Sequence, residues 1–128
     1  MTRFLLAAIF CLGVAVPAAA WDEGIDTGDL RCIGTEPFWS LALGEAEMAY
    51  DDIEGNEIVF ASPPAETTAN RIDRWIRTGI SRSGGVATIV LLRQECSDGM
   101  SDNVFPLEVI VMGTGPRTLQ GCCGEPRE

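Results

Sequence analysis

Two cysteines stand side by side near the end of this chain, Cys122 and Cys123. Neighbouring residues on a strand project to opposite faces, and a bridge between adjacent cysteines is poorly made. Each therefore needs a partner elsewhere. With Cys11 set aside in the leader described below, the candidates are Cys32 and Cys96. Four cysteines permit three pairings. The expected set is Cys96 with Cys122 and Cys32 with Cys123, which ties an N-terminal strand and a central loop to the C-terminal strand. Each bridge contributes about 2 to 4 kcal/mol, mostly through the unfolded state. Zinc is a weaker reading of the same thiols, because the chain has no CxxC pair and no histidine.

Disulfides require an oxidising compartment, and the first residues supply the route. Arg3 gives a positive start, residues 4–16 form an apolar run, and Pro17-Ala18-Ala19-Ala20 ends it with small residues. That is the layout of a secretory signal peptide. The run is shorter than the roughly 20 residues a spanning helix needs. Cleavage after about Ala20 is expected, leaving no membrane span. Lipidation at Cys11 is not, since Phe10 precedes it where a small residue is wanted. The expected product is a soluble periplasmic protein: a flexible lead-in over 21–30, one domain over 31–123 and a short tail over 124–128. A chain of this size buries only about two thirds of its unfolded surface, so cross-links matter.

Charge narrows the partners. Nineteen acidic residues face nine basic ones, all arginine, for a formal net charge of −10. Losing Arg3 with the leader makes the mature chain one unit more negative. Nucleic acid draws its affinity from clustered cations, and anionic head groups repel such a surface. Basic proteins and metal cations are the natural counterparts. No cofactor is implied, and a monomer is expected.

Short apolar runs separated by turn signals indicate antiparallel strands. Residues 38–43 form a strand that turns at Gly44-Glu45 and returns through Met48 and Tyr50. The stretch 51–56 turns again, and a further strand over 57–61 ends at Ser62-Pro63-Pro64. Ile72, Arg74 and Ile76 alternate with Asp73, Trp75 and Arg77, the pattern of a half-buried strand, although these residues also suit about two helical turns. Residues 86–93 have no polar face except Thr88 and read as a central strand. Residues 107–112 and 118–123 complete the set. The fold class is all-β: a small disulfide-stapled antiparallel barrel, or barrel-like sandwich, of about seven to eight strands.

Two stretches carry side chains suited to a site. In the first, Cys96-Ser97-Asp98-Gly99-Met100-Ser101-Asp102-Asn103, a cysteine and a following Pro106 fix a loop that displays carboxylates and hydroxyls. Asp98, Ser101, Asp102 and Asn103 are its candidate binding residues. The structural alternative is that Asp98 and Ser101 or Asp102 bond to nearby N–H groups and close a turn. In the second stretch, Gly34-Thr35-Glu36-Pro37-Phe38-Trp39, one aromatic plugs the core and the other lies at a rim. A rim Trp39 beside Glu36 would make a ligand platform.

These stretches, with Leu119-x-Gly121-Cys122, occur in one order, and the Asp-Gly-Met-Ser-Asp core is specific. Over roughly residues 31–123 the chain resembles a family of uncharacterised bacterial periplasmic proteins and lipoproteins. The resemblance implies export and a small barrel-like fold, and brings no established activity. Members typically carry tyrosine before the proline, where this chain has Phe105. Some are lipid-anchored, which this chain is not expected to be.

Histidine and lysine are absent, which excludes a Ser-His-Asp triad and a lysine base. Two-carboxylate chemistry through Asp98 and Asp102 is the catalytic route left open. A calcium site there lacks the usual Asp-x-Asp-x-Asp-Gly spacing. The expectation is a non-catalytic envelope module that binds or inhibits a basic partner such as a lysozyme, by architectural analogy. The alternatives are a structural or stress-related component and a small apolar ligand carrier.

Overall fold

The structure is a computed structural model that describes Gly13 and residues 25–127. The expected leader, apart from Gly13, and the first part of the lead-in lie outside the described residues. The chain forms β1 (Leu30–Thr35), β2 (Phe38–Leu43), β3 (Glu47–Asp52), β4 (Glu57–Ala61), β5 (Glu66–Thr67), β6 (Arg74–Ser81), β7 (Val86–Ser97), β8 (Val104–Met112) and β9 (Leu119–Cys123). There is no helix among the described residues. The sheet order is β4-β3-β2-β1-β9-β8-β7-β6-β5, and pairing of β4 with β6 closes eight strands into an antiparallel barrel, with β5 the extra strand.

Alternation fills the barrel. Leu41, Met48, Phe60, Ile89, Leu91, Leu107, Val109 and Val111 are almost fully buried and belong to one core cluster. Each large aliphatic side chain removed from water this way contributes about 1.5 to 3 kcal/mol.

Closure rests on two narrow seams. β1 meets β9 at only Cys32↔Cys123 and Ile33↔Cys122. A disulfide between Cys32 and Cys123, with Cα atoms 4.0 Å apart, reinforces this seam. The second bridge joins Cys96 to Cys122 at a Cα separation of 5.5 Å. It holds the end of β7, beyond a register shift between Arg93 and Cys96, against β9.

The other seam joins β4 to β6 through Phe60↔Ser81 and Ala61↔Ile80. Further along the same edge of β6, β5 pairs through Glu66↔Ile76 and Thr67↔Trp75. β4 and β5 thus behave as one strand interrupted at Ser62-Pro63-Pro64-Ala65, where the prolines have no N–H to give to a ladder. Arg77 fills the gap from inside. Its exposure is 2%, and the alternation that buries Trp75 and Gly79 points it inward. Nε donates to Ser62 Oγ at 2.8 Å, Nη1 to the Thr27 carbonyl at 2.9 Å, and Nη2 to the carbonyls of Gly44 at 2.5 Å and Ser62 at 3.3 Å.

The lead-in is consequently not free where it is described: Thr27 accepts from Arg77, Ile25 packs on the core, and β1 begins at Leu30. The expected tail also pairs, through a bridge between Val104 and Arg127.

Replacing Arg77 with alanine strands these carbonyls in the interior. Urea unfolding of Arg77→Ala is expected to show a loss of about 3 kcal/mol, the scale of a broken buried polar cluster. A loss under about 1 kcal/mol would show that the gap closes without the guanidinium.

Candidate functional site at the barrel mouth

The turns β1–β2, β3–β4 and β8–β9 gather at one end of the barrel. Beyond Ile33↔Cys122 the β1–β9 ladder stops, and the two strands part around a cleft of about 510 Å³. Gly34, Thr35, Glu36 and Pro37 line one side, residues 117–122 the other, and Cys96 and Ser97 a third.

Trp39 also lines the cleft, but not as a rim platform. It is 4% exposed, whereas Phe38 is 48% exposed, so Trp39 is the core aromatic and Phe38 the outer one. Two glycines explain the choice. A Cβ on Gly34 would lie 2.0 Å from Trp39 Nε1, and one on Gly121 would lie 2.7 Å from Trp39 Cζ2. The indole occupies a slot against the bare backbones of β1 and β9, and its ring stacks on Tyr50 at a centroid distance of 6.4 Å.

Next to the cleft lies a smaller hollow of about 120 Å³, walled by Pro37, Tyr50, Asp52, Thr114, Arg117 and Leu119 among others. Asp52 organises it. Oδ1 accepts the N–H groups of Glu54 (3.0 Å) and Asn56 (3.1 Å), while Oδ2 accepts the Tyr50 hydroxyl and the Asn56 amide, both at 2.9 Å. These donors, the Asn56 amide foremost, hold the Asp52 carboxyl below the usual carboxylate range. The phenol moves the other way. Burial, with the hydrogen bond to Asp52 and the charge of that carboxylate, pushes Tyr50 up to about 12.

The Asp98 loop reaches this end because the Thr35 hydroxyl donates to the Asp98 carbonyl at 3.0 Å. Its carboxylate is turned inward on the loop itself. Oδ1 accepts the N–H groups of Met100 and Ser101 at 2.9 Å, and Oδ2 the Ser101 hydroxyl at 2.9 Å, with Gly99 at φ 76° making the turn. The Met100 N–H, followed by those Ser101 donors, lowers the Asp98 pKa. The Asn103 N–H donates to Ser101 Oγ at 3.3 Å, and Asp102 is exposed. Among the described residues no three His, Cys, Asp or Glu side chains are placed to hold a metal ion.

No family model, curated protein or solved structure matches this chain.

The structure therefore brings Glu36, Trp39 and the Asp98 loop to one end and adds residues that sequence reading passed over: Tyr50, Asp52, Glu54 and Arg117. The β3–β4 hairpin also carries Asp51, which accepts from Ser40 Oγ at 2.8 Å, and Ile53, which is 72% exposed. Ile53 N–H donates to the Phe38 carbonyl at 3.2 Å, so two exposed apolar side chains sit among the acids. The run Asp51-Asp52-Ile53-Glu54 was the available signal, but it reads as an ordinary polar turn.

Tyr50 is the only tyrosine in the chain, so its phenolate absorbance reports one group. In the folded protein it is expected to titrate near 12, against about 10 when unfolded. A raised folded-state pKa gives stability that is complete below the unfolded value and lost as pH climbs through the folded one. Asp52→Asn is expected to move the native titration down, and an unchanged midpoint would remove Asp52 as a cause.

Asp98 has the opposite sign. Its lowered pKa gives stability present above about pH 4, the unfolded aspartate value, and lost as acid protonates the folded carboxylate. Thermal melts at neutral pH should place Asp98→Ala below the parent and Asp102→Ala level with it, with the Asp98→Ala gap closing in acid. Equal effects of both substitutions would assign Asp98 no special part in the turn.

Proposed function

We propose that this chain is an exported, non-catalytic binding module whose barrel mouth engages a basic protein, with lysozymes the first class to test. The observation that carries the reading is the composition of that mouth. Glu36, Asp51, Asp52 and Glu54 border it, with Arg117 the one cation among the residues lining its hollows, and the contacts that order Asp51 and Asp52 come from the neutral donors Ser40, Asn56 and Tyr50 and backbone N–H groups. By contrast Asp73 is matched by Arg71 at 2.8 Å and Arg74 at 3.3 Å. Carboxylates left negative around exposed Ile53 and Phe38 supply what a protein interface uses: an apolar centre and a charged border that speeds encounter with a partner of opposite sign. Two bridged cysteine pairs suit life outside the reducing cytoplasm. The interior is a packed core, so the reading does not depend on a ligand inside the barrel.

The test is a titration of the mature protein against a panel of lysozymes, following both binding and enzyme inhibition. Expected is complex formation that weakens steeply with salt, and a loss of affinity of about tenfold or more in the Ile53→Ser/Glu54→Gln double variant. Absence of salt-sensitive binding across the panel would retire the proposal.

A further inference from the structure

The outer wall over β6, β7 and β8 is unlike the mouth. Every outward residue of β7 from Val86 to Leu92 is uncharged: Val86, Thr88, Val90 and Leu92. The register places Ile76 and Ile110 on either side of Val90, Thr78 and Met112 on either side of Thr88, and Ile80 beside Val86. Exposure is 56% at Ile80, 51% at Val86 and 42% at Ile76. Contiguous exposed apolar wall of this kind marks an interaction surface.

Its border indicates what covers it. In the next row Arg74 and Glu108 flank Leu92, one strand away on each side of β7. Arg74 touches Asp73, and Glu108 is held outward by the amides of Gln94 and Gln120. A two-fold axis lying along β7 exchanges the two flanks. It sets Arg74 of one copy over Glu108 of the other, Ile76 over Ile110, and Thr78 over Met112, while β7 faces itself. We infer that this wall pairs two copies of the chain as an isologous dimer about β7, in place of the monomer expected from sequence. With a formal charge of −10, copies repel over most of their surface. The three-strand wall itself is uncharged, with Arg74 and Glu108 at mirrored positions and Glu66 bordering it on β5 beside Ile76, so this is where two copies meet at least cost. The contact is three strands wide, so it belongs with small, weak interfaces.

Analytical ultracentrifugation of the mature protein over about 10 to 500 µM is the test, a range suited to such interfaces. The parent is expected to dimerise. Thr88→Arg at the axis, or Val86→Lys if that variant melts early, should raise the dissociation constant by about a hundredfold. Arg74→Glu and Glu108→Arg should each weaken the dimer, and the charge-swapped double variant should recover it. A parent that stays monomeric throughout overturns the inference, as does a dimer indifferent to Thr88→Arg or a double variant no better than the singles. A monomer that sediments with phosphatidylglycerol vesicles overturns it too, by assigning the wall to a membrane surface.

Discussion

A sheet becomes a barrel only where its first and last strands find each other, and in this chain each closure amounts to two residue pairs. So few backbone hydrogen bonds, each worth about 1 kcal/mol net, are a slender hold against the tendency of a twisted sheet to stay open. Each seam has a second means of closure. At β1 and β9 it is covalent, the Cys32–Cys123 bridge. At β4 and β6 it is a guanidinium whose donors fasten the lead-in, the β2–β3 turn and the proline break together. The planar fork of arginine suits this task because it presents several donors in fixed directions, where lysine would offer one compact centre.

The mouth inherits its shape from the first seam. Because the ladder stops at Ile33 and Cys122, β1 and β9 diverge above it, and Trp39 slides between two glycines to seal the core from the cleft. Tyr50 lies against that indole and donates a hydrogen bond to the Asp52 carboxylate, which fixes the hairpin bearing Ile53 and Glu54. The acidic hairpin is therefore built on the core: its position follows from the aromatic pair beneath it. An interface set on such a base loses less conformational entropy on binding than one on a loose loop.

Much of the architecture is legible in the amino-acid sequence. Strands at 38–43 and 57–61 follow from alternation and turn residues; the geometry of adjacent thiols excludes a Cys122–Cys123 bridge and leaves two pairings, of which the structure holds the expected one. β1 was harder to read, because Arg31, Gly34 and Thr35 interrupt its apolar pattern and its role lies in closing the seam. β6 inverts the usual rule. Ile76 and Ile80 face outward while Arg77 is buried, and hydropathy has no way to see the ring of carbonyls that accepts a buried arginine. Trp39 and Phe38 had to take opposite faces, and the glycines that decide which is inside lie on other strands. The site was legible in part. Asp98 and Glu36 stand out by their neighbours, whereas Tyr50, Asp52 and Arg117 become a group only when three separate turns converge.

The two seams divide the barrel into leaves, β1 to β4 and β6 to β9, joined by backbone only through residues 62–73. Pro63, Pro64 and Ile72 in that linker are exposed, and Ile72 is 86% exposed. A single cut there would leave both leaves whole. They would still be held as one molecule by the bond between Cys32 on one leaf and Cys123 on the other, so a protease could nick this protein without releasing either half.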